Sequence, residues 1–413
     1  MQYLAPETLT LDPRNARTHS KRQIGQIARS ITRFGFTNPI LVDEAGVIIA
    51  GHGRRLAADQ IGLEQVPVIT LRGLSDIEKR ALRLADNKIA ANAGWDVELL
   101  RSELKSIQDI DVGFDLELTG FATGEIDVML DPPAGADEPS PPAVADHARA
   151  QLGDVFRLGE HRLACGDARD EALVVRMLGG RAADAAFLDP PYNLPVKRFV
   201  NRKARHGEFA MASGEMSSGE FREFLAECLR SAASASREGA VHFVCMDWRG
   251  MDAVHRVGAE VYGALLNLCV WNKSNAGMGS LYRSKHELVF VFRVGDAQHF
   301  NSVELGTHGR HRTNVWNYGS VNTFQTARSA ELAFHPTVKP IALVEDAIKD
   351  VTRRGDLVLD LFTGSGSTLL AAERSGRHFA GVELDPAYVD IALERWEAMT
   401  GRTAERVGGA DAA

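Results

Sequence analysis

A short polar motif, Asp189-Pro190-Pro191-Tyr192, follows directly on a stretch that otherwise has the character of a buried strand. The preceding residues are small and apolar, which is typical of a central strand, whereas proline is rare in the interior of one. A carboxylate accepts hydrogen bonds, prolines stiffen the backbone, and a tyrosine ring offers a face for stacking. The motif therefore has groups that could bind and aim a ligand.

A second stretch with the composition of a ligand site is "LVLDLFTGSGSTLLAAERSG" at 357–376, which predicts a strand, a glycine-rich turn and a helix. Gly364 and Gly366 let the backbone approach a ligand closely. Leu369 occupies the third glycine position, so the turn is not a full dinucleotide fingerprint. Glu383 ends the next predicted strand, where an acid can accept both hydroxyls of a ribose. Together they indicate an adenosine-containing cofactor; the alternative is a structural turn whose glycines only allow helix–sheet packing.

Both stretches belong to an alternation of strands and helices that fills the chain after residue 150. Apolar strand candidates recur, and between two of them the apolar residues around Phe221 and Phe224 repeat at helical spacing. Such alternation predicts an α/β fold with an open, mostly parallel sheet and helices on both faces. Ligands of such sheets bind at the carboxyl ends of the strands, which is where both stretches stand.

A Pro-, Ala- and acid-rich segment without hydrophobic period predicts a linker between two parts of the chain. Before it, "NPILVDEAGVIIAG" predicts two strands, "GRRLAADQIGL" a helix and "VPVIT" a third strand. Further helices are expected to begin near Ser75, with Glu78 completing a capping box, and at Asp96. We expect an N-terminal domain at 1–95, a helical extension at 96–130, the linker at 131–150, the larger domain at 151–402 and a flexible tail at 403–413.

The composition is that of an ordinary globular protein. Of 413 residues, 45% are hydrophobic and 25% charged, and the net charge of −8 argues against a protein that is basic all over. Four cysteines are scattered with no CxxC pair, which favours free thiols in a reducing cytoplasm over a zinc site or disulfides, and we expect no metal. No signal peptide and no membrane-spanning run are visible.

Motifs in the larger domain resemble a known family when they are taken in order. "DPPY" at 189–192, "HPTVKP" at 335–340 and "DLFTGSGST" at 360–368 are similar to the β group of amino-methylating DNA methyltransferases, which use S-adenosyl-L-methionine. "GDAR" at 166–169 and "VELDP" at 382–386 also fit. The resemblance implies a Rossmann-like methyltransferase domain that binds double-stranded DNA.

The resemblance also implies what the first motif does. An exocyclic amino nitrogen is a poor nucleophile because its lone pair is conjugated into the ring. If Asp189 and the carbonyl of Pro190 accept its two N–H bonds, with Pro191 stiffening the turn, the nitrogen can become more tetrahedral and attack the methyl group. Tyr192 would stack on a base that has been flipped out of the duplex.

The cofactor residues follow from the same resemblance. Asp167 would hold the adenine amino group, and Asp360 with Phe362 would line the methionine end. Thr337 and Lys339 would reach the carboxylate, for which a lysine is a suitable counter-charge; the alternative for them is an ordinary loop and surface position. The remaining members of the set are Gly364, Gly366, Thr368 and Glu383.

Basic segments suggest a DNA surface in this otherwise acidic chain. The cluster "KRFVNRKAR" begins five residues past Tyr192 and suits phosphate contact. A second basic patch, "HGRHR", occupies 308–312, and target recognition is expected at roughly 250–334. The residues of the first cluster are Lys197, Arg198, Arg202, Lys203 and Arg205.

The segment "VIIAGHGRRLAA" at 47–58 resembles the ParB/sulfiredoxin-like domain, which implies a smaller α+β domain at the N-terminus. The matching segment of ParB proteins touches a nucleoside triphosphate, and glycines with arginines at a helix start suit an anion. In the alternative, the arginines pair with acids such as Asp59. Sulfiredoxin chemistry is not expected, because the first cysteine is Cys165. The candidate nucleotide site comprises Gly51, Gly53, Arg54 and Arg55.

The sequence thus predicts a site-specific DNA methyltransferase with adenine N6 as its target, since in the family an aspartate at the first motif position is more usual for adenine and a serine for cytosine. Cytosine N4 is the nearest alternative, because Asp189 could serve it equally well. Two other readings are a ParB-like DNA-binding protein with an inactive methyltransferase fold, and methylation of RNA or of protein glutamine. The oligomeric state stays open.

Overall fold

The computed structural model describes residues 1–111, 114–130, 149–193, 214–274, 276, 281–303, 306, 310–319 and 338–408. The chain divides into two compact units, Met1–Ala122 and Thr123–Ala413, which are described separately below.

The first unit is built on a small mixed sheet. Its strands lie in the order β1-β4-β2-β3, with β4 parallel to β2 and the other pairs antiparallel. Ile40, Ile48 and Val68 are fully buried at its centre. The predicted α+β character and the three predicted strands are confirmed. The strands are β1 (Gln2–Leu4), β2 (Ile40–Val42), β3 (Ile48–Ala50) and β4 (Val66–Thr70).

Four α-helices complete the described part of this unit, and their starts follow the capping residues in the sequence. Ser75 and Glu78 form the predicted capping box, in which each side chain bonds the other's backbone N–H. The Asp96 carboxylate accepts from Leu99 N at 3.0 Å and begins the next helix. The helices are α1 (Lys21–Phe34), α2 (His52–Gln60), α3 (Asp76–Ala91) and α4 (Val97–Ile110).

The second unit contains a ten-stranded sheet among its described residues. The order is β11-β9-β10-β8-β7-β12-β13-β6-β5-β14, and the central strands β8, β7, β12, β13 and β6 are mutually parallel. The predicted open, mostly parallel sheet is therefore confirmed. The strands are β5 (Val155–Leu158), β6 (His161–Cys165), β7 (Ala183–Leu188), β8 (Ser236–Met246), β9 (Ala264–Asn272), β10 (His286–Arg293), β11 (Val315–Asn317), β12 (Leu357–Asp360), β13 (His378–Glu383) and β14 (Glu405–Gly408).

Helices cover both faces of this sheet, and side chains of β7 alternate between the two resulting cores. Ala186 and Leu188 face the core that contains Phe221, whereas Phe187 faces the core that contains Trp396. The α/β architecture predicted from the sequence is thus the observed one. The helices are α5 (Thr123–Leu130), α6 (Glu171–Leu178), α7 (Ser218–Ser234), α8 (Met251–Val261), α9 (Ile341–Val351), α10 (Ser367–Ser375) and α11 (Pro386–Thr400).

Two predicted boundaries need correction. Helix α5 lies in the expected helical extension but belongs to the second unit, because its buried Asp127 forms a bidentate ion pair with Arg377 at 2.8 and 2.9 Å. The expected flexible tail contains β14, which pairs with β5 in antiparallel fashion. Most of the predicted linker, 131–148, and the end of the tail lie outside the described residues.

Candidate active site

The carboxyl ends of four neighbouring parallel strands bring the predicted site residues to one edge of the sheet. Strands β6, β13, β12 and β7 are adjacent and parallel, and an acid stands at or just after the end of each. Gly166 N donates to Glu383 O at 2.8 Å, which ties two of these ends together. The four acids are Asp167, Glu383, Asp360 and Asp189.

The glycine turn after β12 is held by the acid that ends β13. Glu383 Oε2 accepts from Gly364 N at 2.7 Å, and its Oε1 accepts from Asp385 N at 2.9 Å. Gly364 has φ 51°, a left-handed conformation, and the nearest atom to a Cβ added there would be 3.9 Å away, so this side of the turn is open. At Gly366, φ is 86° and an added Cβ would come within 2.9 Å of the Ala392 Cβ.

Asp360 is a buried acid at the end of β12. Its Oδ1 accepts from Phe362 N at 2.9 Å. Burial raises the pKa of Asp360 to about 7, because taking a carboxylate out of water disfavours its charged form. A cationic group of a ligand bound beside it would be stabilised by the ionised carboxylate.

Asp167 stands beside an open cavity of about 440 Å³. Arg169 donates to its carboxylate at 2.7 Å through Nη2, and this bond lowers the pKa of Asp167. Asp167 follows β6 at this edge of the sheet, and its role beside an adenine ring stays a prediction. The cavity is lined by Asp167, Arg169, Asp170, Glu171, Glu227 and Arg230.

Asp189 lies at the centre of a cluster of charged side chains at the end of β7. Lys339 Nζ donates to its Oδ2 at 2.6 Å, and the Tyr192 hydroxyl donates to its Oδ1 at 2.9 Å. Lys339 also lies 2.9 Å from Glu287, which forms a further ion pair with Lys273. Two carboxylates and two ammonium groups therefore compensate one another in a largely buried site.

The acids of this cluster keep Lys339 charged. Burial by itself lowers the pKa of Lys339, but Asp189 and Glu287 outweigh that effect and hold the pKa above its ordinary value. Burial opposes the charged form of Glu287 as well, yet Lys339 and Lys273 lower its pKa to about 2. For Asp189, burial raises the pKa, with Lys339 opposing and Glu287 adding to the rise.

The side chain of Lys339 makes its contacts within the charged cluster. The sequence assigned it to the cofactor's carboxylate, whereas its ammonium group is bonded to Asp189 and Glu287 and is only 4% exposed. Its backbone does adjoin the glycine turn, since Ser367 Oγ donates to Lys339 O at 2.8 Å. Thr337, the other residue predicted to reach that carboxylate, lies outside the described residues.

Sequence reasoning missed three members of the cluster. Glu287 is the second residue of β10, and Lys273 follows β9. Trp271 lies beneath both lysines, with its ring centroid 4.7 Å from Lys273 Nζ and 5.8 Å from Lys339 Nζ. The available signal was an acid that opens an otherwise apolar strand, since a buried charge needs a charged partner.

The predicted basic cluster after Tyr192 lies outside the described residues, which resume at Gly214. The described residues on either side of it are joined by Asn193, whose Nδ2 donates to Met216 O at 2.8 Å and whose Oδ1 accepts from Gly214 N at 3.0 Å. Asn193 has φ 51°, which is uncommon outside glycine. Asn193, Gly214 and Met216 therefore lie together, close in sequence to the strand end that carries Asp189.

Two arginines of the second basic patch, Arg310 and Arg312, do not form the exposed basic surface that the sequence suggested. Arg310 is buried and donates to Asp350 at 2.7 Å. Arg312 donates to Asp350 at 2.9 Å and to Tyr318 OH at 2.7 Å. These guanidinium groups hold the segment before β11 onto α9 and are not placed for phosphate contact.

In the first unit, the predicted nucleotide segment forms the start of α2. Gly51 is its N-cap with φ 103°, and Arg54 Nη2 donates to Pro39 O at 3.3 Å. Arg55 pairs with Asp59, as the structural alternative predicted. Gly53 is buried, and a Cβ added there would meet His19 at 3.0 Å.

Three further properties of the described residues concern metal-binding groups, membrane-spanning helices and disulfides. The described residues contain no group of three or more potential His, Cys, Asp or Glu ligands that could hold a metal ion. None of the described helices has the length and apolar character needed to cross a bilayer. All four cysteines are buried free thiols.

Comparisons with known proteins find matches to separate parts of the chain. A ParB N-terminal domain model matches residues 1–88, and a ParB-methyltransferase HTH domain model matches 98–151. The ParB-like nuclease domain-containing protein YnaK of Escherichia coli is 56% identical over 66 residues, covering 16% of this chain and 76% of YnaK. The Type II methyltransferase M2.DpnII of Streptococcus pneumoniae is 27% identical over 225 residues, covering 52% of this chain and 82% of the relative.

A solved structure and one further family model concern the second unit. The crystal structure of TTHA0409, a DNA modification methylase from Thermus thermophilus complexed with S-adenosyl-L-methionine, aligns with TM-score 0.42 at 20% identity, over 59% of this chain and 96% of that one. The DNA methylase model for the N6 and N4 enzymes matches residues 183–394, which is more than half of the chain. The chain belongs to this family of amino-methylating DNA methylases, and it carries ParB-type domains in front of the methylase domain.

Proposed function

We propose that this protein transfers a methyl group from S-adenosyl-L-methionine to the N6 amino group of a flipped adenine in double-stranded DNA. The observation that carries the proposal is the position of Asp189, a partly exposed carboxylate at the end of β7, beside the glycine turn that follows β12. An acceptor for an amino group and a cradle for a nucleoside-type cofactor thus stand on neighbouring parallel strands.

The residues around the glycine turn fit S-adenosyl-L-methionine. Gly364 leaves an open side on the turn, Glu383 offers a carboxylate for the ribose hydroxyls, and Asp360 is a buried acid suited to a cationic group. Asp167 would accept from the adenine amino group. When bound, the cofactor supplies a methyl group on a positively charged sulfur.

The chemical task of the chain is then to aim a nitrogen lone pair. The Asp189 carboxylate and the Pro190 carbonyl accept the two N–H bonds of the amino group, which localises the lone pair on nitrogen. A nitrogen–carbon bond forms as the sulfur–carbon bond breaks, the electron pair stays on sulfur, and one amino proton leaves to solvent. Tyr192 offers its ring to the flipped base.

Adenine is preferred over cytosine because an aspartate, and not a serine, stands at the first motif position. Cytosine N4 presents the same amino group to the same acceptors, so the two targets differ in product and not in mechanism. Digestion of methylated DNA to nucleosides separates them.

The proposed DNA surface includes the basic cluster after Tyr192, and the Asn193 contacts support it because they keep its flanking residues at the edge of the site. Replacing Arg202 and Arg205 by Ala should weaken DNA binding on every sequence and reduce the salt slope by about 2, one unit for each lost phosphate contact. A matched variant without Arg157 and Arg176, which are exposed elsewhere on the unit and outside the expected recognition region, should keep the slope. An unchanged slope in the first variant would contradict the assignment.

For the first unit, we propose a nucleoside triphosphate site at the start of α2. Its support is that Arg54 Nε and His52 Nε2 are buried and have no hydrogen-bond partner among the described residues, so they can still donate to or accept from a ligand. Titration of the protein with CTP and with ATP should give binding that Arg54→Ala abolishes and that the exposed Arg72→Ala leaves intact. No heat of binding with either nucleotide would reject the site.

The experiment that tests the enzymatic proposal is incubation with labelled S-adenosyl-L-methionine and either DNA, RNA or protein, followed by hydrolysis and chromatography. Label in N6-methyladenine from DNA is the expected result. Label in N4-methylcytosine would correct the base and leave the mechanism, whereas label only in RNA or protein, or none, would reject the proposal.

A further inference from the structure

Glu287 occupies a buried position next to the proposed amino-group acceptor, although it lies on a different part of the chain. It is the second residue of β10, an antiparallel strand between β8 and β9, and it is 5% exposed. The next residue, Leu288, pairs with Met246, where β8 ends. Glu287 therefore stands just beyond the end of β8, on the edge where β7 delivers Asp189.

One oxygen of Glu287 contacts both side chains that hold Asp189. Its Oε2 lies 2.9 Å from Lys339 Nζ and 3.1 Å from the Tyr192 hydroxyl. Those two groups donate to Asp189 Oδ2 at 2.6 Å and Oδ1 at 2.9 Å. Its other oxygen pairs with Lys273. The position of the Asp189 carboxylate thus depends on Glu287 through Lys339, which bonds both acids, and through Tyr192, whose single hydroxyl proton the two acids share.

The charge of Glu287 matters as much as its position. With Glu287, the cluster holds two carboxylates and two ammonium groups. Without it, Asp189 would be the one carboxylate of the cluster, opposite two ammonium groups. Lys339 would then pair with Asp189 alone and make it a weaker acceptor for a base amino group, because opposite charges compete for the same lone pairs.

We propose that Glu287 is a positioning residue for methyl transfer, which anchors Lys339 and Tyr192 from behind so that they aim Asp189 and leave it able to accept the amino group. This inference rests on the proposed function. Among the described residues, the other ionisable groups that face the cluster are Cys245 on β8 and Asp360 at the end of β12.

The test is Glu287→Gln, which keeps the shape and removes the charge. The single-turnover rate of methyl transfer should fall by up to about hundredfold, because the acceptor is no longer held in place. Cofactor affinity should be unchanged. The acid limb of the rate profile, which reports ionisation of Asp189, should move to lower pH by on the order of one unit, because a neighbouring negative charge has gone.

Glu345→Gln is the matched control. Glu345 is a buried glutamate of α9 that pairs with Lys349 at 2.6 Å and Arg374 at 3.0 Å, so its replacement also disturbs buried ion pairs. This variant should lose thermal stability but keep the wild-type pH profile. Glu287→Asp, which retains the charge on a shorter side chain, should lower the rate while leaving the acid limb where it is in the wild type.

The outcomes are distinguishable. A folded Glu287→Gln protein with the wild-type rate and an unmoved acid limb would overturn the inference, as would failure of both Glu287 variants to fold, which would make the residue purely structural. A wild-type protein that methylates no DNA would overturn the proposed function together with it.

Discussion

Replacing Asp189 by Ala should separate methyl transfer from cofactor binding. Its carboxylate is bonded to Lys339 and Tyr192 among the described residues, whereas the glycine turn is held by Glu383. Loss of an electrostatic group that acts in the transition state costs about 10²–10³ in rate. Stability should fall by only about 1–2 kcal/mol, because Lys339 keeps Glu287 at 2.9 Å and is not left as an unpaired buried charge.

The assay is methyl incorporation under single-turnover conditions, with calorimetric titration of S-adenosyl-L-methionine in parallel. Asp184→Ala serves as the control, since Asp184 lies on the same strand and pairs with Arg237 at 2.6 Å at the opposite end of it. That variant should transfer methyl groups at nearly the wild-type rate. The reasoning would be refuted by near-normal incorporation in Asp189→Ala, or by a loss of cofactor affinity as large as the loss of rate.

Three further predictions concern the cofactor, the pH dependence and the boundary between the units. Glu383→Ala should weaken cofactor binding by about 1.5–3 kcal/mol, through lost charge-assisted hydrogen bonds, and an unchanged calorimetric affinity would remove it from the site. Burial raises the pKa of Asp360 to about 7 from the usual 3.8, so the folded chain retains a proton that the unfolded chain releases, and the free energy of unfolding should decline as pH rises from about 4 to 7. Asp360→Asn should flatten this decline in urea titrations without cofactor, and an equal decline in both proteins would contradict the assignment. A chain that begins at Thr123 should fold and bind cofactor. A chain that begins at Gln151 lacks Asp127, which leaves the buried Arg377 without its carboxylate partner, and it should be less stable by about 3–5 kcal/mol. Equal melting temperatures of the two chains would contradict this prediction.

Local signals predicted the elements of the fold well. The run "VPVIT" coincides with β4, and Ser75 with Glu78 forms the capping box that begins α3. These features depend on neighbours a few residues away, which the sequence displays directly. The open, mostly parallel character of the larger sheet followed from the alternation of strands and helices, whereas the order of its strands was not predicted.

Features that depend on distant partners escaped prediction. Lys339 meets Asp189 across 150 residues of sequence, and nothing local indicates that its ammonium group bonds the acid at the end of β7. Helix α5 was assigned to the wrong side of the boundary because composition marks a linker but does not reveal the pairing of Asp127 with Arg377. Strand β14 is four residues long and is stabilised by pairing with β5, so its own sequence carries little signal.

The most direct test of the account is a crystal structure of the protein with a non-reactive analogue of S-adenosyl-L-methionine and a duplex that contains the target sequence. The account predicts a flipped adenine whose amino nitrogen lies within hydrogen-bonding distance of Asp189 and of the Pro190 carbonyl, with the analogue held by the glycine turn and Glu383. A target base whose amino group contacts neither acceptor, or an analogue bound away from the turn, would contradict it.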